Sequence, residues 1–163
     1  MDKIDNLDDC IALATFGHRK QKDKAGLPYI DHCLRVMRTV QEQGAAPHVQ
    51  MAAVLHDLTE DQMFTAQMLL DLGVPEAAVE IVKLVDRDYS AMEYALLTNA
   101  RMAITKQEQD KFYYENIRKN PGALQVKLAD IGDNLQPWRL AYLPDETQDR
   151  LRKKYAKAID LLT

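Results

Sequence analysis

Apolar residues recur at helical spacing along almost the whole chain, and no alternating apolar–polar pattern lasts beyond a few residues. Such a chain cannot supply strands with one buried face. It can supply amphipathic helices whose stripes must be buried against one another. Ile4, Leu7, Ile11 and Ala14 mark a first helix, and Gly26 and Pro28 break 17–28 into a loop. Residues 29–43 follow, with Ile30, Leu34, Met37 and Val40 in register and Gly44 as a stop. Residues 49–59 read as an apolar helix with no Gly or Pro. Thr65 suits the cap of a short helix ending at Gly73, and Pro75 the first turn of another reaching Val85. Helices are further predicted over 90–104, 107–119, 123–135 and 145–162, with Asn120-Pro121-Gly122 as a break. The expected fold is all-α, a bundle of about seven to nine helices. The 163 residues fit a single domain, 1–163, since no repeat, low-complexity tract or linker divides them.

Bulk properties narrow the function classes. No apolar run reaches the roughly 18 residues that would suggest a membrane span. The N-terminus is acidic and polar, unlike a signal peptide. Cys10 and Cys33 are far apart and form no CxxC pair, so two reduced thiols in a cytoplasmic protein are expected. A net charge of −4 argues against nucleic acid as partner. One local cluster, His18-Arg19-Lys20-Gln21-Lys22-Asp23-Lys24, is strongly cationic all the same. Nothing in the sequence sets the oligomeric state.

The chemistry lies where charges interrupt apolar helices. Ala52-Ala53-Val54-Leu55-His56-Asp57-Leu58-Thr59-Glu60-Asp61 passes abruptly from apolar residues to a histidine and three carboxylates. Burying such groups without partners is costly, and a metal ion is one way to make it tolerable. On a helix, His56, Asp57, Glu60 and Asp61 would share one stripe, being three or four apart. His32, at the start of the second helix, and Asp130, in Val126-Lys127-Leu128-Ala129-Asp130, have similar settings. A lone His-Asp pair is more often a salt-bridged surface pair, and a lone Asp130 would simply pair with Lys127. Together, His32, His56, Asp57 and Asp130 make two imidazoles and two carboxylates, a set suited to Mn, Fe, Co or Zn. Open positions on such an ion can hold water of lowered pKa.

The order His32, His56-Asp57, Asp130 resembles the H…HD…D signature of the HD-domain metal-dependent phosphohydrolases. Four stretches resemble one branch, the hydrolase domains of RelA/SpoT-type proteins and the small alarmone hydrolases. These are His18-x-x-Gln21-x-x-Lys24-x-Gly26-x-Pro28-Tyr29-Ile30-x-His32, then Ala53-Val54-Leu55-His56-Asp57-x-x-Glu60-Asp61, then Thr65 with Leu69 and Leu72-Gly73, and last Val126-Lys127-Leu128-Ala129-Asp130-x-x-x-Asn134-Leu135. The resemblance implies one divalent ion, manganese, on His32, His56, Asp57 and Asp130. It implies that Glu60 and Asp61 activate and orient the attacking water, and that Lys24 and Asn134 touch the nucleotide. The sequence departs from the branch at Asp23, where an arginine usually stacks on guanine, at Cys33, at Ile131-Gly132-Asp133, and over 86–109. From Asp23 follow an expected weak discrimination of guanine from adenine, or a preference for a substrate other than (p)ppGpp, and a lower KM for ppGpp in Asp23→Arg.

Other residues divide between two readings. His18 is either a polar loop residue or a phosphate contact. Lys22 either lines the substrate mouth or belongs to a solvated charge run. Phe112-Tyr113-Tyr114 suits the core better than a base pocket, and Trp138 is expected to pack where the last helix crosses. The leading function is a phosphohydrolase acting on a nucleotide phosphate or pyrophosphate ester, of the (p)ppGpp 3′-pyrophosphohydrolase kind. The alternatives are an HD-type (deoxy)nucleotide 5′-phosphatase or triphosphohydrolase, and a metal- or nucleotide-binding module without turnover.

Overall fold

The computed structural model describes residues 2–60, 64–99 and 103–163. Ten helices occur among them: α1 (Leu7–Gly17), α2 (Tyr29–Glu42), α3 (Pro47–Leu55), α4 (Ala66–Asp71), α5 (Glu76–Val85), α6 (Arg87–Leu97), α7 (Lys106–Lys119), α8 (Pro121–Asn134), α9 (Pro137–Leu140) and α10 (Asp145–Leu162). The all-α expectation holds. The helix beyond the expected range is the four-residue α9, which Pro137 opens at its first turn.

Helix α3 is central. Val49 and Met51 to Leu55 are all buried, and the helix packs against α1, α2, α5 and α8. A helix apolar on every side belongs inside a bundle. Tight approach secures its exit: a Cβ on Gly17, at the end of α1, would collide with Leu58 just after α3. Helix starts follow the expected chemistry. Thr65 accepts from Met68 N, Asp86 from Asp88 N and Tyr89 N, and Asn120 from Ala123 N. Thr105 and Glu108 form a reciprocal capping box.

Several boundaries differ from the sequence reading. Ile4 precedes α1, and its N–H donates to Leu72 O instead of continuing a helix. Helix α6 starts earlier than expected because Asp86 caps it, and it ends at Leu97, where Asn99 turns into the left-handed region at φ 58°. Helix α3 ends at Leu55, four residues short of the predicted end. Trp138 is 44% exposed, with the guanidinium of Arg35 on α2 lying 4.9 Å from its ring centroid.

Candidate metal centre

Four side chains meet where α2, α3 and α8 converge. His32 comes from the first turn of α2, His56 and Asp57 from the residues that end α3, and Asp130 from α8. One ligand atom from each lies within 4.8 Å of the others. His32 Nε2 is 3.1 Å from Asp130 Oδ1, and His56 Nε2 is 3.0 Å from Asp57 Oδ2. Both histidines and Asp130 are buried.

The imidazole tautomers show that a cation fits. His56 Nδ1 lies 2.7 Å from the carbonyl of Ala53, which can only accept, so Nδ1 carries the proton. In the neutral ring Nε2 then offers a lone pair toward two carboxylates. It is buried and makes no hydrogen bond of acceptable geometry. A buried lone pair aimed at anions calls for a positive charge between them. The two-nitrogen, two-oxygen set is that of a borderline divalent ion, so this cluster could hold one.

Without a cation, protons take that role. Burial favours neutral His56, yet Asp57 and Asp130 raise its pKa well above the usual value. Burial likewise opposes ionisation of Asp57, but His56 draws its pKa down to about 2. A metal must therefore displace protons held by the histidines. We expect apparent metal affinity to rise with pH across the neutral range, with protons released on binding. Chelator-competition titrations at several pH values check this, and a pH-independent affinity would count against it.

Glu60 stands beside the cluster. The predicted helical stripe does not form over His56, Asp57 and Glu60, because 56–60 are turns beyond α3. The His56 imidazole engages the Ala53 carbonyl, which a continuing helix would need. The Thr59 hydroxyl donates to Asp86 at 2.6 Å, and Glu60 Oε1 accepts from Arg87 N at 3.1 Å. The corner between α5 and α6 thus holds these residues. Burial, then the nearby Asp57 charge, pushes the Glu60 carboxyl up to about 7. Asp61 lies outside the described residues.

A cavity of about 310 Å³ opens over Asp57, Glu60 and Asp130. Lys22, Lys24 and Asn134 line it, as do Tyr29, Arg87, Tyr114, Lys127, Arg139, Lys154 and Tyr155. His18 is not among the lining residues. It is 1% exposed, hydrogen-bonded to Gln21 at 2.7 Å and packed on the Tyr29 ring. Asn134 also orients a candidate ligand, donating to Asp130 Oδ1 at 2.9 Å.

Several contributors had little or no local signal in the sequence. The Tyr29 hydroxyl donates to Asp57 at 2.6 Å, and Lys127 pairs with Asp130 at 2.8 Å, as its spacing suggested. Arg87 reaches Asp110 and the Tyr114 hydroxyl. Tyr113 and Tyr114 are buried, in keeping with the core reading, although Tyr114 also meets the cleft. Arg139 was missed, and Asp133 was noted only as part of the departure at Ile131-Gly132-Asp133, although a carboxylate three residues after Asp130 on the same helix was a further clue. Cys33 is buried, and that burial pushes its thiol up to about 12, so it is unreactive.

Asp23 has a structural task that the sequence hid. Its Oδ1 accepts from Ala25 N and Leu27 N, and its Oδ2 accepts from Arg139 at 3.1 Å. Three of its acceptor positions are thus taken up within the protein, although Asp23 also borders the cleft. Asp23→Arg would remove two amide acceptors and set two cations together, so we now expect a raised KM for nucleotide, against the sequence-based expectation. Steady-state kinetics of the variant decides between the two signs.

Comparison with known proteins agrees with this geometry. A solved structure described as a metazoan ortholog of SpoT that hydrolyzes ppGpp and plays a role in starvation responses superposes with a TM-score of 0.72 at 28% identity, covering 96% of this chain and 84% of that one. The GTP pyrophosphokinase of Streptomyces coelicolor is 32% identical over 134 residues, which are 82% of this chain and 14% of that protein. A probable GTP pyrophosphokinase of Mycobacterium leprae is 29% identical over 142 residues, 87% of this chain and 17% of the relative. The chain thus spans a small part of the curated relatives' length. The HD domain family matches residues 10–158, and the chain belongs to that family.

Proposed function

We propose that the chain is a metal-dependent phosphohydrolase that cleaves the 3′-pyrophosphate ester of (p)ppGpp, acting as one domain over 1–163 in the cytoplasm. One observation carries the reading: two imidazole nitrogens and two carboxylate oxygens within 4.8 Å of one another, at the floor of a cleft walled by lysines and arginines. The likeness to a structure described as hydrolyzing ppGpp supports the substrate class. His32, His56, Asp57 and Asp130 would hold the ion, which we take to be manganese. When bound, it supplies Lewis-acid polarisation of a phosphoryl oxygen and acidifies water.

The remaining work falls to side chains. Glu60 Oε1 is tied to Arg87 N, which leaves Oε2 to take a proton from the attacking water. Asp61 is proposed to orient that water. Water adds at phosphorus as its proton passes to Glu60, the bond from phosphorus to the 3′ oxygen breaks, and that oxygen departs as the nucleotide's 3′ hydroxyl on taking up the proton, so the products are pyrophosphate and a nucleotide with a free 3′ hydroxyl. Lys22, Lys24, Arg87 and Lys154 place positive charge along the cleft where the phosphates lie. Asn134 is proposed to meet the ribose.

A panel of nucleotides incubated with Mn and scored for phosphate and pyrophosphate tests this. Pyrophosphate from (p)ppGpp is the expected product. Phosphate or triphosphate released from deoxynucleotides alone would favour the nucleotidase reading, and metal binding without turnover the sensing module.

A further inference from the structure

We propose that Asp133 is a positioning residue for His32, and that Arg139 links it to the entry loop that carries Lys22 and Lys24. The inference rests on the metal reading above, since it concerns how one ligand is aimed. Asp133 Oδ2 lies 2.6 Å from His32 Nδ1. An ionised carboxylate can only accept, so Nδ1 carries the proton and donates. The ring is thereby held with Nε2 toward Asp130 Oδ1, 3.1 Å away, the atom that would face an ion once its proton is displaced. A hydrogen-bonded acceptor behind a ligating imidazole fixes its tautomer and ring plane and raises its basicity.

Asp133 is itself clamped. Arg35, one turn beyond His32 on α2, approaches it side-on with Nε at 2.7 Å and a second nitrogen at 3.2 Å. Arg139 donates to Oδ2 at 2.6 Å. The same Arg139 nitrogen is 3.2 Å from His32 Nδ1, but both atoms are donors, so that approach is not a bond. The other arm of Arg139 reaches Asp23 Oδ2, whose Oδ1 holds the loop amides of Ala25 and Leu27. Two carboxylates and two guanidiniums balance, and a continuous, partly buried network runs from the loop to the ligand. Asp133 therefore governs metal affinity, and Arg139 governs the substrate loop.

The two assignments separate by experiment. Asp133→Asn keeps the shape but lets the amide donate to Nδ1, which would move the proton to Nε2 and block ligation. We expect manganese affinity, measured by chelator competition without substrate, to fall about 10- to 100-fold. Arg139→Gln, with Arg35 still in place, should raise KM for the nucleotide several-fold while metal affinity stays within about two- to three-fold. Wild-type affinity in Asp133→Asn would overturn the first assignment, and an unchanged KM in Arg139→Gln the second. Should Asp133→Asn not fold, nitrogen-15 NMR of the zinc-loaded wild type still decides. A proton on His32 Nδ1 is required, and a proton on Nε2 refutes the positioning role. Absence of metal binding by the wild type would instead overturn the metal reading itself.

Discussion

Asp57→Ala is expected to lose both the metal and the activity. Asp57 supplies one of two anionic oxygens to the cluster and lies 3.0 Å from His56 Nε2 and 3.7 Å from His32 Nε2. Removing it would halve the negative charge available to an ion and leave two buried imidazoles facing Asp130 alone. Elemental analysis should find about one transition-metal ion per wild-type chain and none in the variant. A thermal readout follows by mass action: an ion that binds only the folded state adds about 2.7 kcal/mol at 100 times its Kd. Manganese should therefore raise the melting temperature of the wild type and leave that of Asp57→Ala unchanged. Equal metal contents in the two proteins would remove Asp57 from the ligand set.

The second large effect separates proton handling from metal holding. Glu60→Gln preserves an oxygen for Arg87 N but cannot take a proton, so we expect normal metal content with kcat reduced roughly 10²- to 10⁴-fold. The pH profile gives a second handle. Burial raises the Glu60 carboxyl to about 7. The base form therefore appears, and the rate climbs, as pH rises toward neutrality, and a bound cation moves that limb lower. In Glu60→Gln the limb should vanish. Linkage gives a further sign. Because the folded-state pKa lies above the ordinary 4.5, the folded protein binds the proton more tightly than the unfolded chain. Glu60 thus stabilises the metal-free fold least above about 7, and stability falls as pH rises between those values. Wild-type turnover in Glu60→Gln would leave Glu60 a structural tie to α6.

How much of this was legible in the sequence depended on distance along the chain. His32, His56, Asp57 and Asp130 stood out because each charge breaks an apolar helical stripe, which is local information. The helices themselves were legible from local information too, with the Thr65 cap visible beforehand and Asn120 read only as part of a break. The end of α3 was not, because Thr59 and Glu60 are held by partners 27 residues away. No local propensity encodes such a bond. Asp133 and Arg139 were hidden more deeply: Asp133 meets a histidine 101 residues earlier, and Arg139 meets an aspartate 116 residues earlier. Asp23 has a second task hidden for a related reason: the resemblance drew attention to the base, whereas the turn it caps and the arginine it meets exist only once the loop has closed.

If His32, His56, Asp57 and Asp130 hold the ion that makes this chain a phosphohydrolase, activity must follow metal content. The most direct test is to strip the protein with a chelator, add manganese back in increments, and follow pyrophosphate released from ppGpp. The account predicts no release from the stripped protein and full recovery at about one equivalent per chain. Undiminished release after complete metal removal would contradict it.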